Sequence, residues 1–352
     1  MIKKLTLLVA IFTLASSVLY AQKTFQELGQ ISRLNRGVSG LRSMNDGEHY
    51  TISRGGAVLR FSYTDESVCD TLYKGRFSSY ALSPKEDMIV VGNNFRPVYR
   101  RSFYADYDIV TVPDGRTVQS LKNIRDLSLS PDSKMIAYAK DNNLFISELG
   151  GAERAVTTDG EWNKTINATA DWVYEEEYGF TKAYAFSPDS KKIAYLRFDE
   201  SEVPTFEMMR YDDKLYNKAF SFKYPKAGDK NSVVTLHLYD VATGKTEQVP
   251  VGNNPDQYIF NLQWTPSGEL SYYRVNRLQN HFEVLLRRAN GELRTIYEER
   301  CSTYVERPSA ATIHFLDTER FIVSEESSAG YNHLYLHSIS KGRLNAITSG
   351  KW

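Results

Sequence analysis

Leu129-Ser130-Pro131-Asp132-Ser133-Lys134-Met135-Ile136-Ala137-Tyr138 is the stretch that decides the fold. Proline fixes φ at the second position of a turn, the following Asp and Ser cap or bend the backbone, and an apolar run comes next. The phrase therefore reads as a hairpin turn leading into a buried strand. It returns as Phe186-Ser187-Pro188-Asp189-Ser190-Lys191-Lys192-Ile193-Ala194-Tyr195 and as Ala81-Leu82-Ser83-Pro84-Lys85-Glu86-Asp87-Met88-Ile89-Val90-Val91. A worn copy is Trp264-Thr265-Pro266-Ser267-Gly268-Glu269-Leu270, and degenerate copies fall at Asn45-Asp46-Gly47 and Leu316-Asp317-Thr318. Copies recur at very roughly 50 residues, the length of a four-stranded propeller blade. Asn143-Leu144-Phe145-Ile146-Ser147 and His333-Leu334-Tyr335-Leu336-His337 alternate with the period of a half-buried strand and read as blade endings. The chain is thus expected to be all-β, a β-propeller of four-stranded blades with about six blades present. A β-sandwich is the competing reading, but its strands do not recur in sets of four.

Lys plus Arg equals Asp plus Glu, 43 each, so no net field attracts nucleic acid or an anionic membrane. Aromatic residues make up 13% of the chain, enough for a large β core. Residues 1–21 read as a signal peptide: Lys3 and Lys4, then an apolar run over 5–18, then Ala21, with Leu19 departing from the small-x-small pattern. Residues 22–45 form a lead-in and 46–352 the propeller, and the protein is expected to be exported, periplasmic or secreted. No later apolar stretch is long enough to span a membrane. The two cysteines, Cys69 and Cys301, suit either one long-range disulfide or two buried thiols. No Cys/His cluster has zinc spacing, so neither metal nor cofactor is expected.

Asp171-Trp172-Val173-Tyr174-Glu175-Glu176-Glu177 sets three consecutive carboxylates among aromatics. Like charges this close need a cation if they face a concave site. An ammonium group, with three N–H donors, would bridge two of them through charge-assisted bonds. A solvated acidic loop is the plainer alternative.

Further segments accompany this motif in a fixed order. Arg100-Arg101-Ser102-Phe103 leads into Tyr107-Asp108-Ile109, and Glu202-Val203-Pro204 precedes Tyr224-Pro225-Lys226-Ala227-Gly228 with Asn231. Gly330-Tyr331-Asn332-His333 then precedes Ile347-Thr348-Ser349-Gly350-Lys351-Trp352. Together they resemble the dipeptidyl peptidase IV family of serine exopeptidases over nearly the whole chain after residue 21. The resemblance implies an eight-bladed ring followed by an α/β-hydrolase domain that carries the Ser, Asp and His of the triad. Against that pattern the chain is expected to hold about six blades and no α/β-hydrolase domain. No Gly-x-Ser-x-Gly elbow occurs, so no catalytic residue is assigned, and a hydrolase domain would be encoded separately or lost.

By the same resemblance, Glu176 and Glu177 bind the α-amino group of a peptide with a free N-terminus. They act as a ruler that limits release to dipeptides, X-Pro or X-Ala in the intact enzyme. Both partners must be charged, a condition of near-neutral pH. Arg100 matches the arginine that reaches the substrate carbonyl, and it can also offset the glutamates' repulsion. Arg307, in Glu306-Arg307-Pro308, matches a second, less constant pocket arginine, with an ordinary surface arginine as the competing reading. Glu175 reads as a structural neighbour, while Trp172 and Tyr174 pack the loop that carries the glutamates. Segment 231–252 corresponds to a region from which family members extend a dimer arm, so a homodimer is also implied, although Val241-Ala242-Thr243-Gly244-Lys245 looks like an ordinary hairpin turn. Three readings of function stand: the exported recognition propeller of a dipeptidyl peptidase IV-like enzyme, a non-enzymatic peptide- or protein-binding propeller, and an inert fragment of a split gene.

Overall fold

The structure is a computed structural model that describes residues 40–112, 114–211, 215–306, 308, 312–326 and 330–352. The expected leader 1–21, most of the expected 22–45 lead-in and Arg307 lie outside the described residues. The described residues up to Lys74 form one compact unit and Gly75–Trp352 a second.

The first unit is an antiparallel meander of Arg42–Ser43, His49–Arg54, Ala57–Ser62 and Val68–Lys74. The second contains five sets of four strands. One set is Ser79–Leu82, Met88–Pro97, Phe103–Thr111 and the start of Thr117–Leu129. The end of that 13-residue strand opens the next set, with Met135–Lys140, Asn143–Glu148 and Arg154–Ala155. A single long strand thus joins two blades into one seven-stranded sheet. Tyr184–Phe186, Lys192–Asp199, Val233–Asp240 and Thr246–Val249 make the following blade, with Thr165–Asn167 paired to its second strand. The last two are Gln257–Trp264, Leu270–Asn276, His281–Arg287, Leu293–Arg300 and Ile313–Phe315, Arg320–Glu326, Asn332–Ser338, Gly342–Ala346. Asn143–Glu148 and Asn332–Ser338 are third strands, each followed by a short fourth, and not the blade endings that the sequence suggested.

The recurring turn closes through its serine. Ser130 Oγ accepts the Met135 amide at 2.9 Å and donates to Asp132 at 2.6 Å, while Ser133 takes the left-handed conformation at φ 57°. Ser187 repeats this with the Lys192 amide (2.9 Å) and Asp189 (2.7 Å), and Ser83 with the Met88 amide (3.1 Å) and Asp87 (2.7 Å). Thr265 does so with the Glu269 amide at 3.0 Å, and there Gly268 supplies the positive φ. In the two degenerate copies an aspartate takes over, Asp46 and Asp317 each accepting two backbone amides.

Neighbouring blades bury both faces of their strands, which explains the near-continuous apolar runs. Along Lys192–Asp199, Ile193 and Tyr195 pack with Leu144 and Ile146 of the preceding blade. Ala194, Leu196 and Phe198 face the core shared with Ile259 and Tyr273 of the next. The alternation follows the period of 2.

Segment 231–252 is blade material: Leu236 and Leu238 are buried, and residues 241–245 form a tight turn with the Gly244 amide on the Asp240 carbonyl at 2.9 Å. The segment that leaves the blade is the earlier hairpin Thr205–Arg210 with Lys218–Lys223, whose Phe206, Met208 and Met209 are exposed. Cys69 and Cys301 are both free and exposed, so neither is the buried thiol or the disulfide half that the sequence allowed.

Candidate functional site

The glutamates sit on a helix, α1 (Trp172–Tyr178), and not on a loop. Asp171 caps it, accepting the Tyr174 amide at 2.9 Å on one oxygen and the Ser232 hydroxyl on the other. Burial pushes the Asp171 carboxyl up, and these bonds oppose the shift. Gly179 ends the helix at φ 74°, a conformation that costs glycine nothing. Tyr174 anchors α1 to the core: its ring lies edge-on to Phe198 at 5.0 Å, and its hydroxyl accepts the Ile259 amide at 3.1 Å. Trp172 packs on Tyr224 at 4.2 Å.

Successive helical residues point about 100° apart, so three consecutive glutamates meet three environments. Glu175 is 0% exposed, and its Oε1 accepts the backbone amides of Arg101 at 2.6 Å and Ser102 at 2.8 Å. Glu176 has a side chain 14% exposed and lies 2.9 Å from Arg100 Nε and 3.7 Å from Arg101 Nη1. Glu177 is exposed. The Arg100 side chain is 73% exposed, so it reaches Glu176 while staying open to solvent. The structure therefore brings Arg100 and Glu176 together, places Glu177 next along the helix, and leaves Arg307 outside the described residues.

Beneath this surface lies a buried charged layer that the sequence did not announce. Glu200 is 5% exposed, and its carboxyl is pushed up to about 8, chiefly by burial, with the Asp171 and Asp199 charges adding and Lys223 opposing. Arg125 is buried with its guanidinium 5.9 Å from the Tyr104 ring centre and Nε 4.0 Å from Asp126. Burial raises Asp126, with Arg125 acting against it. The Tyr99 hydroxyl is raised too, by burial first and then by Glu200. One signal for Glu200 was present: it continues the 194, 196, 198 parity of buried Ala194, Leu196 and Phe198. Its place in Asp199-Glu200-Ser201-Glu202, three carboxylates in four residues, works against that signal.

The family model for the dipeptidyl peptidase IV (DPP IV) N-terminal region matches residues 83–352. The chain belongs to the dipeptidyl peptidase IV family. It is 28% identical over 344 residues to dipeptidyl peptidase 4 of Trichophyton equinum, covering 92% of this chain and 44% of that protein. The Aspergillus flavus relative, a probable dipeptidyl peptidase 4 by name, is 26% identical over 348 residues, 92% of this chain and 45% of the relative. The crystal structure of Porphyromonas gingivalis dipeptidyl peptidase 4 superposes with a TM-score of 0.84 at 34% identity, covering 89% of this chain and 47% of that one. The dipeptidyl peptidase IV-type fold here is a β-propeller of four-stranded blades. The chain spans less than half the length of these relatives, and α1 is the one α-helix among its described residues.

Proposed function

We propose that this chain is the exported substrate-recognition propeller of a dipeptidyl peptidase IV-like serine exopeptidase. Glu176 and Glu177 receive the ammonium of a peptide with a free N-terminus, and Arg100 donates to the first backbone carbonyl. The observation that carries this reading is the meeting of Glu176 with Arg100, 2.9 Å apart, beside exposed Glu177 on a helix capped at both ends. A partly exposed ion pair is worth only about 1 kcal/mol or less, so an incoming ammonium can compete for Glu176 and free the guanidinium for the peptide. Fixing the ammonium then measures out two residues to the scissile bond, giving X-Pro or X-Ala dipeptides in the intact enzyme. The serine, aspartate and histidine of the triad would come from an α/β-hydrolase domain; this propeller recognises and does not cleave. Its exposed hairpin, Thr205–Arg210 with Lys218–Lys223, is the surface we assign to a homodimer.

Calorimetric titration with a Gly-Pro tetrapeptide tests the reading. Binding is expected for the free amine and not for its N-acetyl form. Glu176→Gln and Glu177→Gln should each weaken binding at least ~10-fold, as expected for a lost charge-assisted bond. Equal binding of the acetylated peptide would overturn the assignment, and turnover of a Gly-Pro chromogenic amide by the purified chain would overturn the non-catalytic role.

A further inference from the structure

The hairpin tip that carries Arg100 is joined to α1 by a buried connection. Residues 98–102 turn between Met88–Pro97 and Phe103–Thr111, with the Val98 amide on the Ser102 carbonyl at 2.8 Å and the Tyr99 amide on Ser102 Oγ at 3.3 Å. Directly after Arg100, the Arg101 and Ser102 amides both donate to Glu175 Oε1, and Arg101 Nη1 returns a bond to the Glu175 carbonyl at 3.0 Å. Just before it, the Tyr99 ring packs on Phe222 at 5.7 Å. The Arg100 backbone is therefore held on both sides, while its side chain is mostly in solvent.

Two interactions compete as the cause of Arg100's placement. The Arg100–Glu176 pair is partly exposed and orders a long side chain only weakly. The carboxyl of Glu175 is itself buried, its bond from the Ser102 amide is buried and that from the Arg101 amide partly so, and a lost acceptor there would strand the Ser102 N–H away from water. The second is the stronger constraint. We propose that Glu175 is a positioning residue: without touching the peptide, it fixes the turn that aims Arg100 at Glu176, and so preshapes the N-terminus site. This rests on the reading of Glu176 and Glu177 given above. The first glutamate of the run thus works as a clamp for the second.

Two substitutions separate geometry from charge. Glu175→Gln keeps the reach and one carbonyl oxygen but removes the charge, whereas Glu175→Asp keeps the charge but is one methylene short of the two amides. Hydrogen exchange of the Arg101 and Ser102 amides in the peptide-free, full-length chain reads the clamp directly. Titration of the Gly-Pro tetrapeptide reads its consequence. Positioning predicts exchange faster by roughly tenfold in Glu175→Asp and by less than about threefold in Glu175→Gln. It also predicts a roughly tenfold loss of peptide affinity in Glu175→Asp that shrinks below about twofold in an Arg100→Ala background. A larger effect of Gln than of Asp, or an Asp penalty that persists without Arg100, would overturn the proposal. Should the exchange pattern hold while wild-type chain binds no peptide, the clamp stands and the N-terminus reading falls.

Discussion

Glu200 offers the sharpest test of the buried charged layer. Its carboxyl is pushed up to about 8, against about 4.3 in an unfolded chain. Between those two values the folded state holds a proton that the unfolded state has released. Stability therefore falls as pH rises through this window, by about 1.36 kcal/mol per pH unit, and levels off above pH 8. The accumulated loss is on the order of 5 kcal/mol, an upper value because the site can relax and admit water as the carboxyl ionises. The charged groups acting on Glu200 are Asp171, Asp199 and Lys223. Glu200→Gln cannot ionise and keeps nearly the same volume. Urea denaturation of wild type and variant, followed by tryptophan fluorescence, should give similar stabilities at pH 5. At pH 9 the variant should be the more stable by several kcal/mol, with m unchanged. An equal difference at both pH values would show that Glu200 ionises freely in the folded chain, and the buried layer would have been misread.

His337 should show the opposite sign. Burial, with the Arg343 charge adding, lowers its imidazole to about 4, below the ordinary 6.5, so stability is lost as pH falls from about 6.5 toward 4. His337→Phe, which preserves the stack on Phe321, should flatten that limb of a melting-temperature profile; an unchanged limb would assign it to other groups. The homodimer assignment predicts that Met208→Glu with Met209→Glu halves the mass found by sedimentation equilibrium. A wild-type chain already monomeric at tens of micromolar would refute it.

Much of the fold was legible because its signals are local. A serine that accepts the amide five residues ahead, as Ser130 does from Met135, needs only its own turn. Alternation along Lys192–Asp199 likewise needs only a sheet buried on both faces. The Glu176 and Arg100 candidates could be named from the order of motifs. Their environments could not, and the helical setting of Glu175 to Glu177 was missed because a seven-residue segment offers too little periodicity to set against a loop. The ordinary turn at 241–245 was legible from its own residues, whereas the separate hairpin Thr205–Arg210 with Lys218–Lys223 was not, because strand-like alternation does not say which pair joins a blade and which stands apart.

The sequence by itself determined the repeating hairpins, the apolar faces and the residue types of the site, since each follows from neighbours within a few positions. Tertiary structure alone decided that Glu175 is buried against the Arg101 and Ser102 amides and that Glu176 meets Arg100. Glu176 and Arg100 stand 76 residues apart, and only the packing of one blade's hairpin tip on α1 brings them within reach. Burial and proximity are properties of that packing, and no local pattern encodes them.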